Sequence, residues 1–96
     1  MARYELSAAA DRDLTEIYAY SYRHFGERKA DEYLLSLEDC FTSLAEMPGM
    51  GRSVEHLRAG YYRLKHASHI VFYTRVEGGV RIVRVLHEAM DPERHL

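Results

Sequence analysis

One stretch, residues 60–87, constrains the fold of this chain more than any other. It reads GYYRLKHASHIVFYTRVEGGVRIVRVLH and predicts three consecutive β-strands joined by tight turns. The middle strand, residues 70–76, consists largely of β-branched and aromatic residues, which strands favour. The second turn, residues 77–79, contains two glycines that can adopt positive φ at little cost. A sheet of this kind must bury at least one face, so the remaining chain has to cover it.

The size of the chain allows one domain, residues 1–96, with a small core. The first residues, MARYELS, lack the apolar segment of a signal peptide, and no apolar run is long enough to span a bilayer. Cys40 is the only cysteine, which excludes an internal disulfide and fits a reducing compartment. We therefore expect a cytoplasmic protein without a membrane partner.

Charge is unevenly distributed along the chain. The net charge is −2, so we expect no direct binding of nucleic acid by the chain alone. Residues 1–50 carry a net charge of −5 and residues 51–96 a net charge of +3. The sheet half is therefore basic and the first half acidic, either as an ordinary solvated surface or as a binding surface.

Two helices are predicted before the sheet, after a short alternating strand at residues 3–6. Ser7 is a suitable N-cap for the first helix, and Gly26 ends it. The second helix runs over residues 27–46 and must fold back as an αα-hairpin, because hardly any residues separate the two helices. Helical spacing marks one apolar stripe on each helix: Leu14, Ile17, Tyr18, Ser21, Tyr22 and Phe25 on the first, and Ala30, Tyr33, Leu34, Leu37, Phe41, Leu44 and Ala45 on the second.

These elements predict an α+β fold with an N-terminal strand, an antiparallel αα-hairpin, a three-stranded antiparallel meander and a short C-terminal helical turn. The turn at residues 47–52, MPGMGR, separates the hairpin from the sheet, and residues 53–59 are ambiguous. Asp91 and Pro92 can start the last helical turn, in a tail that is expected to be mobile without a partner. The hairpin should cover one face of the sheet and leave the other face open.

The chain offers no pattern for a metal or a cofactor. Six histidines are present without HxxxH, HExxH or CxxC spacing, and GMGR lacks the features of a phosphate-binding loop. Cys40 lies beside the stripe of the second helix and is interpreted as a packing residue, not as a nucleophile. We therefore expect neither a metal nor a cofactor.

Basic and aromatic side chains on the sheet leave two interpretations open. Together they could cleave RNA, with a general base, a general acid and arginines that stabilise the charged phosphate. Alternatively they are outward positions of alternating strands, with arginines paired to acids such as Glu5 or Asp91. The residues concerned are Arg63, Lys65, Tyr73, Arg75, Arg81, Arg84 and His87.

The order of elements and several local motifs resemble the ParE toxins of the ParE/RelE superfamily of bacterial toxin–antitoxin modules. The motifs are LSAAADRDLTEIYAYS in the first helix, MPGMGR after the second, LRAGYYRL, SHIVFY, and RIVRVLHEAMD at the end of the sheet. The resemblance covers the chain from Tyr4 to about Asp91. It implies a small cytoplasmic toxin that binds and inhibits DNA gyrase, without enzymatic chemistry, and that a ParD-like antitoxin neutralises in a hetero-oligomer.

RelE relatives, which cleave messenger RNA on the ribosome, are the alternative that this resemblance implies. For such a ribonuclease the candidate residues are Arg63, Lys65, Arg81 and His87. The segment after Leu86 follows the ParE pattern H-x-x-M-D and carries no tyrosine. That departure from the RelE pattern favours the inhibitor.

The resemblance also implies an antitoxin that wraps around the toxin with a helix and an extended segment. Tyrosines are suitable anchors, and the basic sheet half suits an acidic antitoxin segment. The candidate antitoxin-binding residues are Tyr18, Tyr20, Tyr22, Tyr33, Arg63, Lys65 and Arg75. The alternative for Tyr18, Tyr22 and Tyr33, which the stripes favour, is that they are core residues, whereas Tyr20 lies off the stripe and is the better surface candidate. The candidate target-binding residues lie in the tail: Met90, Asp91, Pro92, Arg94 and His95. Removing the chain from Asp91 onward is expected to weaken toxicity more than antitoxin binding, because the tail lies outside the predicted core.

Overall fold

The computed structural model describes residues 2–96 as a five-stranded sheet with two helices packed on one face. The elements are β1 (Arg3–Leu6), α1 (Ala8–Phe25), α2 (Glu27–Glu46), β2 (Arg52–Ser53), β3 (Tyr61–His66), β4 (His69–Val76) and β5 (Gly79–His87), with short 3₁₀ turns at Pro48–Met50 and Pro92–Arg94. Within the described residues, neither helix combines the length and the apolar character needed to cross a bilayer.

The helical hairpin forms as predicted because both ends of α1 carry the expected residues. The Ala10 amide donates to the Ser7 hydroxyl at 3.0 Å, which satisfies one free N–H of the first turn. Gly26 ends α1 with a φ of 88°, a left-handed conformation that favours glycine. It is the only residue between α1 and α2, so the chain reverses at once and the helices pack against each other.

The sheet contains the predicted meander and two further strands. The strand order is β1-β5-β4-β3-β2, and β3, β4 and β5 pair antiparallel as expected. The first strand pairs parallel with the last, with the Arg3 amide donating to the Gly78 carbonyl at 3.0 Å. This parallel pair was not predicted, because four residues that alternate between polar and apolar side chains do not indicate which strand they pair with.

The main core lies between the hairpin and the sheet. Leu37, Phe41 and Leu44 of α2 are fully buried, as the stripe of α2 predicts. The stripe of α1 is buried only in part: Tyr22 is 50% exposed and Phe25 is 61% exposed. These two positions of the stripe are therefore not core residues, and the alternative that Tyr22 belongs to the core was wrong.

The second face of the sheet is not open, contrary to the prediction. Val54, Ile70, Phe72 and Leu86 form a second buried cluster. The turn at residues 54–61 closes over this cluster, since the Val54 amide donates to the Tyr61 carbonyl at 2.9 Å. Leu57 and Leu96 also pack against the cluster. The chain thus covers the middle of this face itself, and basic side chains are left around its rim.

Candidate functional site: a groove between the helices and the end of the sheet

A groove of about 1120 Å³ lies where α1 and α2 meet the start of β4 and the end of β5. We call this cavity the groove. Its apolar wall includes Ile17, Tyr20, Phe25, Tyr33 and Met90. Tyr20 and Phe25 are more than half exposed, so large apolar side chains line the groove without covering from the chain itself.

The floor of the groove is polar and contains histidines. The Tyr33 hydroxyl lies 2.6 Å from Nδ1 of His69, and the His69 and His87 rings meet edge to face with centroids 5.5 Å apart. Behind them, Nε2 of His66 lies 3.0 Å from the Ser36 hydroxyl. Burial, followed by the neighbouring imidazoles of His87 and His66, lowers the pKa of His69. These contacts favour the neutral imidazole of His69 near neutral pH.

His87 holds the first turn of the C-terminal tail, residues 88–96. The Ala89 amide donates to Nδ1 of His87 at 3.1 Å, so this ring nitrogen acts as the acceptor.

An ion pair closes the end of the groove nearest to this tail. The Arg84 guanidinium binds Asp13 of α1, and its Nη1 donates to the His95 carbonyl at 2.7 Å. The hydrogen bond to Asp13 raises the pKa of Arg84 further, so this arginine stays charged. One side chain of β5 thereby ties both α1 and the tail to the sheet.

The four candidate tyrosines lie on two different surfaces. Tyr20 and Tyr33 line the groove. Tyr18 and Tyr22 face away from it with ring centroids 6.3 Å apart, and the Tyr18 hydroxyl donates to Asp31 at 2.6 Å. That hydrogen bond raises the pKa of Tyr18 to about 12. The alternative that Tyr22 is a core residue was wrong, whereas Tyr33 packs against the main core as well as the groove.

The candidate basic residues are likewise distributed over two faces. Arg63 and Lys65 pair across the sheet with Phe72 and Ile70, which places them on the rim of the second cluster. Arg75 lies elsewhere, with its guanidinium 5.2 Å from the centre of the Tyr62 ring, next to the main core.

The four candidate ribonuclease residues do not come together. Arg63 and Lys65 lie beside the second cluster, whereas His87 pairs with His69 at the groove. Arg81 lies six residues before His87 on β5, and its Nε donates to Glu5 at 2.8 Å. Arg81 is thus an outward-facing arginine paired to Glu5, as the second interpretation of the basic residues predicts.

The tail is ordered against the protein instead of projecting freely. Asp91 caps the 3₁₀ turn by accepting from the Glu93 amide at 3.0 Å, with Pro92 at the first position as predicted. Met90 and Pro92 line a small cavity of about 220 Å³ beside Arg63 and Lys65. The expectation that the tail lies outside the core was wrong, since its last residue packs on the second cluster. The Arg94 side chain, by contrast, is 83% exposed.

Three residues that shape the groove were not among the predicted site residues: Asp13, Ser36 and His69. Asp13 lies near the N-terminus of α1, where the helix dipole alone would explain an acid, but it directly precedes Leu14 and is buried with it. No local pattern marks His69 or Ser36, because their roles depend on contacts between α2 and the sheet. In residues 2–96, no three His, Cys, Asp or Glu side chains are arranged to hold a metal ion.

Comparison with known proteins places the chain in a family. The family model described as "ParE toxin of type II toxin-antitoxin system, parDE" matches residues 4–92. Toxin ParE1 of Caulobacter vibrioides is 45% identical over 96 residues, covering 100% of this chain and 99% of the relative. Toxin ParE1 of Mycobacterium tuberculosis is 40% identical, covering 99% of this chain and 98% of the relative.

A solved structure agrees with this assignment at the level of the fold. It belongs to the chromosomal ParDE toxin–antitoxin system from P. aeruginosa and superposes with a TM-score of 0.76 at 17% identity. The superposition covers 91% of this chain and 96% of that chain. With the family match over nearly its whole length and full-length relatives at 40–45% identity, the chain belongs to the ParE toxins of type II toxin–antitoxin systems.

Proposed function

We propose that this toxin acts by binding DNA gyrase and that a ParD-type antitoxin neutralises it by occupying the groove. The observation that carries the antitoxin site is the apolar wall at Tyr20 and Phe25, which are 53% and 61% exposed. An amphipathic helix laid along this wall would remove both side chains from water and form a hydrophobic contact between partners. Relatives that carry the ParE name, and a ParDE structure of the same fold, support a ParD-type partner.

A second part of the antitoxin is proposed to reach the rim of the second cluster. Arg52 pairs directly with Arg63 across β2 and β3, with Lys65 two positions further along β3. Like charges opposite each other on a sheet repel, and no acid of residues 2–96 lies within 4 Å of either arginine. An acidic extended segment would relieve this repulsion and would favour association by complementary charge.

The antitoxin contact is tested by titrating the toxin with the ParD-type protein encoded beside it. Tyr20→Ala should weaken binding at least about tenfold, because truncating an aromatic hot-spot residue of an interface costs about 2 kcal/mol or more. Leu35→Ala is the matched control, since Leu35 is 60% exposed on α2 and does not line the groove. Equal antitoxin affinities for the wild type and Tyr20→Ala would show that the groove is not part of the antitoxin-binding site.

The target contact is assigned to the tail: Met90, Asp91, Pro92, Arg94 and His95. Deleting the tail is an unsuitable test, because Leu96 packs on the second cluster and the His95 carbonyl accepts from Arg84. Arg94→Ala is suitable, since this side chain is 83% exposed. It should reduce inhibition of gyrase supercoiling while the midpoint of thermal unfolding and antitoxin affinity stay unchanged.

The same assays distinguish inhibition by binding from enzymatic action. The purified toxin should stop gyrase-driven supercoiling and leave messenger RNA on ribosomes intact. Ribosome-dependent cleavage with unaffected gyrase would overturn the proposal. The positions of Arg63, Lys65, Arg81 and His87 on separate parts of the sheet argue against a shared nuclease site.

A further inference from the structure

Two charged side chains on the walls of the groove bear on what the antitoxin presents there. We propose that the antitoxin fills the groove with an amphipathic helix that carries a basic side chain opposite Glu16 and an acidic side chain opposite Lys29, about two helical turns apart. Glu16 and Lys29 then determine which antitoxin the toxin accepts. This inference rests on the proposed function and adds the charge pattern of the partner at that site.

The shape of the groove suits a helix. Its side walls are the two helices of the hairpin, and each contributes residues three or four positions apart, such as Lys29 and Tyr33 on α2. The α1 wall extends from Asp13 to Phe25, a length of about 18 Å at a helical rise of about 1.5 Å per residue. A helix of about twelve residues matches this length and can pack its side chains between those of α1 and α2.

Glu16 is the acid of the α1 wall that has no partner in the protein. The other acid of this wall, Asp13, lies 2.8 Å from Arg84. The three guanidinium nitrogens of Arg84 already donate to Asp13 and to the His95 carbonyl, and the pKa of Arg84 is raised more by the hydrogen bond with Asp13 than by the charge of Glu16. Glu16 itself is exposed, and within residues 2–96 it has no cationic side chain within 4 Å.

Lys29 is the corresponding unpaired base of the α2 wall. It is exposed, and no acid in the described part of the chain lies within 4 Å of its ammonium group. Glu32, the acid of the same wall, lies 3.6 Å from Arg28 instead. Glu16 lies ten residues before Gly26 and Lys29 three residues after it, so the two charges are about 10 Å apart along the hairpin. Side chains seven residues apart on one face of a helix have this axial separation.

The loss of water on binding makes these two charges selective. Glu16 lies one turn from Tyr20 on α1, so a segment that covers Tyr20 also removes water from the carboxylate. An apolar group over Glu16 or Lys29 would leave the charge without hydrogen bonds, which is costly. Opposite charges on the antitoxin would replace the lost contacts with water, whereas the reversed order would place like charges together.

The test is the dissociation constant and the dissociation rate of the toxin with the ParD-type antitoxin encoded beside it, at constant pH and ionic strength. Glu16→Lys and Lys29→Glu should each bind at least about tenfold more weakly and dissociate faster, because each change places like charges together in a contact that excludes water. The double variant should lose about the product of the two single losses, since the two sites are about 10 Å apart.

Asp39→Lys and Arg23→Glu are the matched controls. They change the charge by the same amounts as Glu16→Lys and Lys29→Glu, at exposed helical positions that do not line the groove. Charges outside the contact act on the rate of encounter, so these variants should leave the dissociation rate unchanged.

Reversal variants that dissociate no faster than the controls would overturn the inference, and a loss of affinity in Tyr20→Ala would show that the proposed function still stands. Equal affinity in Tyr20→Ala and the wild type would instead contradict the antitoxin site itself. A dimer of the free toxin that Tyr20→Ala dissociates in sedimentation would assign the groove to a second copy of this chain, and the proposed charge pattern of the antitoxin would then be wrong.

Discussion

Arg84 of β5 donates two hydrogen bonds to Asp13 of α1, from Nε to Oδ2 at 2.8 Å and from Nη2 to Oδ1 at 2.9 Å. The Val85 amide donates to the same carboxylate at 2.9 Å, so Asp13 accepts three bonds. Only 10% of the Asp13 side chain and 22% of the Arg84 side chain are exposed. This pair fixes the orientation of α1 on the sheet and, through the His95 carbonyl, the position of the tail.

Asp13→Ala should reduce the free energy of unfolding by about 3–5 kcal/mol, because it leaves a largely buried guanidinium without its anion. Urea unfolding measures this change. Arg28→Ala provides the comparison, since the exposed pair of Arg28 and Glu32 on α2 should contribute less than about 1 kcal/mol. An equally small loss of stability in Asp13→Ala and Arg28→Ala would show that the pair of Asp13 and Arg84 does not hold α1 in place.

Gly51→Ala should destabilise the fold by roughly 1–3 kcal/mol, because an added Cβ would overlap the Tyr73 hydroxyl and the Arg63 carbonyl. The Gly51 amide donates to the Tyr73 hydroxyl, which in turn donates to the Pro48 carbonyl at 2.7 Å. Gly49→Ala is the matched control, since its Cβ would meet only the Arg75 guanidinium at an ordinary 3.6 Å. Thermal unfolding should show a lower midpoint for Gly51→Ala than for Gly49→Ala.

Leu37→Ala and Phe41→Ala should each cost roughly 2–5 kcal/mol in chemical unfolding, because both side chains are fully buried under the sheet. Leu35→Ala, two residues away on the opposite side of α2, removes a side chain that is 60% exposed and should change stability little. A similar loss for Leu35→Ala would mean that α2 does not pack through the predicted stripe.

The Cys40 thiol should react slowly with a disulfide reagent in the folded toxin at pH 8. Burial raises the pKa of this thiol, so a smaller fraction is thiolate than in the unfolded chain, and access is reduced as well. Reaction of the same protein in denaturant provides the reference rate. A folded rate equal to the denatured rate would contradict the packing role of Cys40.

The parts of the fold that were predictable are those with a repeating local pattern. The bounds of α2, Glu27–Glu46, follow from helical spacing sustained over five turns, and the β3–β5 meander follows from composition and turn residues. The pairing of β1 with β5 was not predictable, because it joins segments more than 70 residues apart. Residues 54–61 show no hydrophobic periodicity, so the sequence does not indicate that they close over the second face of the sheet.

The candidate site was predictable only in outline. Tyr20 was recognised as a surface residue because it lies off the helical stripe, and it is 53% exposed at the groove. Phe25 lies on the stripe, and periodicity alone cannot distinguish a residue facing the core from one facing the groove. The pairing of Asp13 with Arg84 and the contacts of His69 depend on the three-dimensional arrangement of α1, α2 and β5.

The parallel pairing of β1 with β5 has a consequence for synthesis in the cell. The first strand of the chain finds its neighbour only after residues 79–82 have been translated, so the nascent N-terminal half has no completed sheet to dock on. A product of premature termination would lack β5, and with it both Arg84 and the tail. The five-stranded sheet can therefore close only when translation is nearly complete.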